Sequence, residues 1–317
     1  MIRRLIPFAD CRDTPLRWIA IAVALCAAIA SSSHAHAAPL VAQAAVRANV
    51  IQMDHISVQA VGKGAPLILI PGLSSPRAVW EAFVPELAKT HSVYLVQVNG
   101  FGGDDPRANL QPGVLDGIVA DLHKLIDDHK LKGAALVGHS MGGLAGLMLA
   151  KAHPMDLGKL MVVDSLPFIG SAFVPGSTVE TLRTQAEALR GQMTAMYGKP
   201  QAVGVSDAIA ATQAAKPESR AKVSAWVRVA DPRVSGQAVY EDMTTDLRPD
   251  MKTIRTPITL VYPWSAGLPK ERAEALYRGE YAGTPNIKFV DVGDSQHFVM
   301  LDQPEAFANA LSAFLAG

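Results

Sequence analysis

The stretch Gly138-His139-Ser140-Met141-Gly142 decides the fold of this chain. It follows an apolar run, residues 134–137, and it opens a helical stretch of small residues, 143–152. This order predicts a strand, a sharp turn and a helix, with Ser140 at the apex of the turn. Such a turn needs small residues two positions before and after the serine, and Gly138 and Gly142 supply them. The alternative, a glycine-rich turn with an idle serine, is disfavoured because a buried strand precedes the motif and a helix follows it.

The first 37 residues have the pattern of a signal peptide. Four arginines precede an uncharged apolar stretch, residues 19–30, which is too short to span a bilayer comfortably. Ala35-His36-Ala37 then forms a small-x-small cleavage site, so the mature chain is expected to begin at Ala38. This predicts a periplasmic or secreted protein with no stable membrane anchor after cleavage. The alternatives are an uncleaved N-terminal anchor and a lipid on Cys26, which the bulky Leu25 before it disfavours.

Composition excludes several classes of function. Both cysteines, Cys11 and Cys26, lie in the predicted signal peptide, so the mature chain has no disulfide, no cysteine metal site and no cysteine nucleophile. The formal net charge is zero, which gives no attraction for nucleic acid. We also find no dinucleotide-binding, Walker, H-E-x-x-H or EF-hand motif, and therefore expect no cofactor and no metal.

Apolar runs and helical patterns alternate along the chain. Strands are predicted within 50–61 and at 67–70, 93–98, 134–137, 160–163, 258–261 and 287–292, with helical patterns at 79–89, 115–129, 270–281 and 304–315. This alternation predicts an α/β fold, a mostly parallel sheet covered by helices on both faces. From 167 to 245 the pattern is helical without a strong strand, so this segment is predicted to be an inserted cap. The core is then 38–166 together with 246–317.

In the order of its motifs, the chain resembles the α/β-hydrolase superfamily. The resemblance is carried, in the family's order, by Leu69-Ile70-Pro71-Gly72-Leu73, Asn99-Gly100-Phe101-Gly102, the motif around Ser140, Gln296-His297-Phe298 and Asp302-Gln303-Pro304-Glu305-Ala306-Phe307. The resemblance implies a capped serine hydrolase with Ser140 as its nucleophile. A serine hydroxyl needs a base, and His297, in the loop after the last strand, is the candidate. His139 is expected to point away from the site.

The acid that should orient His297 departs from the commonest pattern. The loop after strand 258–261, residues 263–269, contains no Asp or Glu, and Glu271 falls on the next helix. In some relatives the acid follows the preceding strand, and Asp164 ends that strand here, so we predict Asp164 as the acid. Asp291 and Asp294 are weaker candidates. A bare serine–histidine dyad, with Ser265 or water at the acid position, is the remaining alternative.

The other site residues follow from the same arrangement. The oxyanion hole is expected from the main-chain N–H groups of Met141, after the nucleophile, and Leu73, in the loop after the first buried strand. Aromatic residues could line an apolar substrate pocket under the cap, and the candidates are Trp80, Phe168, Trp226 and Trp264. The alternative for each of them is ordinary packing between cap and core.

The predicted function is hydrolysis of a small-molecule carboxylic ester through an acyl-enzyme. A second hypothesis assigns the same three residues, Ser140, His297 and Asp164, to cofactor-free haloperoxidase-like or C–C bond hydrolase chemistry. A third reading is a binding protein that has kept the fold and lost catalysis. Its support is the missing acid after Val261.

Overall fold

The computed structural model describes residues 50–174, 176–199 and 203–317. The predicted signal peptide (residues 1–37), its cleavage site and the chain up to residue 49 lie outside the described residues. No helix in the described part of the chain is long and apolar enough to cross a membrane.

A single sheet of eight strands forms the centre of the fold. The strands are β1 Val50–Gln52, β2 Ile56–Val61, β3 Ala65–Ile70, β4 His91–Val98, β5 Ala134–His139, β6 Leu157–Val163, β7 Ile258–Pro263 and β8 Ile287–Val292. Their spatial order is β1-β2-β4-β3-β5-β6-β7-β8, and all pairs are parallel except β1 with β2 and β2 with β4. The predicted class, a mostly parallel α/β sheet, is confirmed.

Helices cover both faces of this sheet. The helices are α1 Val84–Leu87, α2 Val114–Asp128, α3 Met141–Ala152, α4 Gly170–Phe173, α5 Val179–Thr194, α6 Val203–Gln213, α7 Pro217–Val229, α8 Pro232–Thr244, α9 Lys270–Glu280, α10 Val299–Asp302 and α11 Pro304–Ala316, with short 3₁₀ turns at Arg77–Trp80, Arg107–Leu110 and Met251–Thr253. Successive residues of β3 face opposite cores: Ile68 belongs to the buried cluster that includes residues of α2, α3 and α9, whereas Leu67 belongs to the cluster that includes residues of α11. Burial on both faces explains why the inner strands are continuous apolar runs.

The helix predicted over 79–89 is shorter in the structure. Residues 77–80 form a 3₁₀ turn and only α1 is α-helical, with Pro85 in its first turn. Proline has no N–H to donate and its ring clashes with a preceding helical turn. A helix can therefore begin at Pro85 but cannot run through it.

The segment predicted as a cap, residues 167–245, contains α4 to α8 and has no strand among its described residues. Helices α5 and α8 pack on each other through a small apolar cluster of their own, which includes Ala186, Leu189, Val239 and Met243. This cluster gives α5 and α8 a small core of their own beside the two cores of the sheet.

A carboxylate on α8 attaches these helices to the sheet domain. Gly113, which precedes α2, has no side chain to cap that helix. Instead Glu241 accepts hydrogen bonds from the N–H groups of Gly113, Val114 and Leu115 at 2.6, 3.1 and 2.7 Å. The negative side chain satisfies donors that have no partner within the helix, and it lies at the positive end of the helix dipole.

We expect Glu241→Ala to lower the free energy of unfolding by about 1–3 kcal/mol, because three N–H groups lose a charged acceptor. Denaturant unfolding at neutral pH measures the change. Glu187→Ala, an exposed position on α5, is the matched control and should have little effect. Equal losses in the two variants would show that Glu241 does not attach α8 to α2.

Candidate active site

Ser140 occupies a strained turn between β5 and α3. Its backbone angles are φ 54° and ψ −125°, a conformation that non-glycine residues rarely adopt. The flanking glycines are required sterically. A Cβ at Gly138 would lie 2.2 Å from the carbonyl oxygen of Gly142, and a Cβ at Gly142 would lie 2.5 Å from that of Pro71. The Ser140 N–H also donates to Val163 at 2.9 Å, which fixes the turn to β6.

His297 and Asp164 meet beside this turn. Nδ1 of His297 lies 2.7 Å from Oδ2 of Asp164, and both side chains are largely buried. Asp164 directly follows β6, and its N–H donates to Val261 on β7 at 2.8 Å. The contact fixes the His297 ring, because an Nδ1–H donated to the carboxylate leaves the other ring nitrogen as the acceptor.

Sequence reasoning missed Tyr277, which donates a hydrogen bond to the second oxygen of Asp164. Burial, followed by the neighbouring Asp164 carboxylate, raises the pKa of Tyr277 well above its ordinary value, so the hydroxyl stays a donor. Tyr281, one helical turn later, donates to the Ser165 carbonyl at 2.9 Å. The available signal was the four-residue spacing of Tyr277, on α9, and Tyr281, directly after it, since a buried tyrosine hydroxyl needs a partner.

The structure corrects the orientation expected for His139. Its buried ring lies against His297, with centroids 4.5 Å apart, and Nε2 is 3.0 Å from the His297 carbonyl oxygen. A carbonyl oxygen can only accept, so Nε2 carries the proton. Burial and the proximity of His297 lower the pKa of His139 well below its ordinary value. His139 is therefore a neutral ring that holds the backbone of His297.

The two predicted oxyanion-hole residues lie next to Ser140. Leu73 borders the same cavity as Ser140, and Met141 is the first residue of α3. Neither main-chain N–H donates to another group among the described residues. The loop at Leu73 comes close because Gly72 precedes it: a Cβ there would lie 2.9 Å from the Ser140 Cβ. Both N–H groups are thus available to a bound oxygen.

A cavity of about 140 Å³ connects these groups. Ser140, His139, His297 and Leu73 form its floor, and residues of α5 to α8 form its roof. The roof is mainly aliphatic and includes Leu189, Met193, Ile209, Val227, Val239 and Met243. A smaller cavity of about 50 Å³ shares Ser74, Met193, Ile209 and Val227 with it, so the two are adjacent.

All four aromatic residues predicted for the pocket lie outside the lining of this cavity. Trp80 is buried in the core, where its ring stacks on Phe307 at a centroid distance of 5.9 Å. Phe168 is fully buried beneath the Arg248 guanidinium, which lies 4.4 Å from the ring centroid.

The other two aromatic residues are partly buried elsewhere. Trp226 packs near Phe298, which borders the cavity, at a centroid distance of 6.1 Å. Trp264 donates from its indole N–H to Asp291 at 2.8 Å. Large aromatic side chains fill the space between layers of secondary structure, as packing alone would require. The aliphatic residues that line the cavity were mostly indistinguishable by sequence from ordinary core residues.

One group of three candidate metal-ligating side chains occurs among the described residues: His123, His153 and Asp156. It lies at the end of the sheet where β6 begins, whereas Ser140 follows the end of β5. The two imidazole rings are nearly parallel, with centroids 3.7 Å apart, and His123 already contacts Asp156 at 2.7 Å. An ion bound by a ring nitrogen lies near that ring's plane, so stacked rings do not fit a shared ion.

Comparisons with known proteins agree with this fold. The model of the alpha/beta hydrolase family matches residues 67–310. A pimeloyl-[acyl-carrier protein] methyl ester esterase of Edwardsiella ictaluri is 26% identical over 79% of this chain and 93% of that enzyme. The enzyme of that name from Aeromonas hydrophila is 32% identical over a shorter stretch, 43% of this chain and 52% of that enzyme. The fold is shared with a thermophilic esterase from Thermogutta terrifontis, with a TM-score of 0.70, 20% identity and coverage of 85% and 98%.

Asp164→Asn should slow turnover of a simple ester by up to about 10⁴-fold, because an amide can stabilise the wrong tautomer of His297 and does not stabilise its cation. Steady-state kinetics with p-nitrophenyl butyrate measures this. Asp294→Asn, in an exposed loop, and Glu271→Gln are the controls and should stay within a few-fold of the wild type. A large loss in Asp294→Asn with none in Asp164→Asn would refute the assignment, and no loss in either would indicate a dyad.

Proposed function

Because the chain belongs to the alpha/beta hydrolase family, we propose that it is an exported serine hydrolase of carboxylic esters that works through an acyl-enzyme. The observation that carries this proposal is the convergence of three features on one cavity. Ser140 stands in a strained turn, His297 is held by Asp164, and two unused N–H groups lie beside the serine. This combination supplies a nucleophile, a base and an oxyanion hole.

In the proposed reaction His297 removes the proton of the Ser140 hydroxyl as the oxygen attacks the ester carbonyl. Negative charge develops on the carbonyl oxygen, where the N–H groups of Leu73 and Met141 stabilise it. The imidazolium formed at His297 is stabilised by Asp164 and returns the proton to the departing alcohol. Water then attacks the acyl-enzyme in the same way and releases the acid.

An ester with an apolar acyl or alcohol group suits the cavity best. Its roof is mostly aliphatic, and the adjoining small cavity extends that surface along Met193, Ile209 and Val227. Apolar surface of this kind contributes to binding roughly in proportion to the area it removes from water. The relatives named as methyl ester esterases are consistent with an ester substrate.

Ser140→Ala should abolish ester hydrolysis and labelling by a fluorophosphonate probe while leaving the fold intact, since one partly exposed hydroxyl contributes little to packing. Mass spectrometry of the labelled wild-type protein should place the adduct on Ser140. Circular dichroism of the variant provides the folding control. If the wild type neither hydrolyses esters nor takes up the probe, the alternative of a catalytically inactive binding protein is favoured.

Export belongs to the same proposal and rests on the sequence of residues 1–37. Mature protein recovered from a bacterial host should begin at Ala38 and should be released with the periplasmic fraction. N-terminal sequencing of that fraction makes the measurement. A chain that begins at Met1, or one that carries a lipid on Cys26, would contradict the proposed processing.

A further inference from the structure

The active-site cavity contains a carboxyl group that the proposed reaction does not use. Asp242 borders the cavity from α8, on the same side of that helix as Val239 and Met243. Residues three or four positions apart share a helix face, and the neighbour Glu241 points away to cap α2. Two adjacent acids on α8 therefore face different surroundings.

Asp242 has no hydrogen-bond or ion-pair partner among the described residues. The titratable groups that share its cavity are His139 and His297, and each already has a partner: the Nε2 of His139 contacts the His297 carbonyl, and the Nδ1 of His297 contacts Asp164. No lysine or arginine occurs among the described residues that border the cavity. Asp242 thus borders the space that a substrate would occupy.

The surroundings of Asp242 are unfavourable to its charge. Burial raises its pKa to about 7, and the nearby His297 only partly opposes this effect. The residue as a whole is half-buried and borders the cavity. An enclosed carboxyl group without a partner destabilises the folded state, whereas leucine or asparagine at this position would avoid the charge.

We propose that Asp242 determines substrate specificity by accepting a hydrogen bond from a hydroxyl or ammonium group that the substrate carries near its ester. This inference rests on the proposed serine hydrolase activity and names its substrate class. The bound donor would supply the partner that the protein itself does not provide. A substrate with a carboxylate in the same place would be disfavoured, because two negative charges would share a poorly solvated cavity.

The test compares two series of matched esters by kcat/KM. The acyl series is methyl hexanoate, its derivatives with a hydroxyl at carbon 2, 3 or 6, methyl 6-aminohexanoate and monomethyl adipate. The alcohol series is the hexanoate esters of ethanol, ethylene glycol and ethanolamine. In the wild type at pH 8 at least one donor-bearing ester should exceed its plain counterpart by about 10- to 100-fold, as expected for a hydrogen bond to a charged group.

Two variants distinguish a hydroxyl donor on the substrate from an ammonium donor. Asp242→Asn keeps the shape and the acceptor oxygen but removes the charge, so it should abolish a preference for ammonium and retain much of a preference for hydroxyl. Asp242→Leu removes the acceptor, so it should bring both preferences to about one. Hydrolysis of monomethyl adipate relative to methyl hexanoate should rise in both variants.

The pH profile gives an independent readout. Since the pKa of Asp242 is raised to about 7, a preference for ammonium should be present above pH 7 and should decline as the carboxyl is protonated below it. Dividing by the rate with the plain ester at each pH removes the contribution of His297, which both substrates need. Asp128→Asn, at an exposed acid that pairs with Lys124, is the matched control and should keep every ratio.

The proposal is overturned if no donor-bearing ester exceeds its plain counterpart, or if Asp242→Leu changes donor-bearing and plain esters by the same factor. Either result, with methyl hexanoate still hydrolysed and Ser140 still labelled, leaves the serine hydrolase function standing. A wild type that hydrolyses no ester and is not labelled overturns both.

Discussion

Close contact between three backbone segments around Ser140 is the constraint on which the site depends. Strands β3 and β5 are neighbours, with Ile70 paired to Gly138, although β4 lies between them in the chain. Chain order reverses at this point, so the loops after the two strands lie side by side at the same end of the sheet. Gly72, Gly138 and Gly142 have no room for a Cβ. Because these glycines have no side chains, Ser140, the start of α3 and the Leu73 loop can lie in contact.

A second constraint connects the cap to the loop that carries His297. The buried carboxylate of Asp302 accepts hydrogen bonds from Ala215 at 2.8 Å and Lys216 at 3.2 Å, between α6 and α7, and from Gln296 at 3.0 Å. The N–H of Phe298 donates to the Gln213 carbonyl at 3.1 Å. Of the two neighbours of His297 in the chain, Phe298 is therefore hydrogen-bonded directly to the cap. Gln296 is hydrogen-bonded to Asp302, which itself holds the cap. The helices that form the roof and the loop that carries the base are thus joined by hydrogen bonds.

The sequence predicted the parts of this molecule that local pattern determines. The elbow at Ser140 has a fixed glycine spacing, and buried parallel strands are apolar runs, so the sheet and the elbow could be located in advance. The residues that line the cavity could not be located in advance. Ile209 or Val239 differs from a core residue only in what the tertiary fold places opposite it. The same holds for Tyr277, whose partner Asp164 is 113 positions away. The orientation predicted for His139 was wrong for a related reason, because that orientation depends on the His297 loop.

Two carboxyl groups near His297 show how surroundings separate chemical roles. Asp164 is buried at the end of β6, where its carboxylate contacts His297 and the Tyr277 hydroxyl. Asp242 borders the cavity from α8 without such partners, and burial raises its pKa to about 7. A charge that is already compensated can orient a base through every step of a reaction. A carboxyl group without a partner is instead sensitive to what enters the cavity, and this difference underlies the separate roles proposed for the two acids.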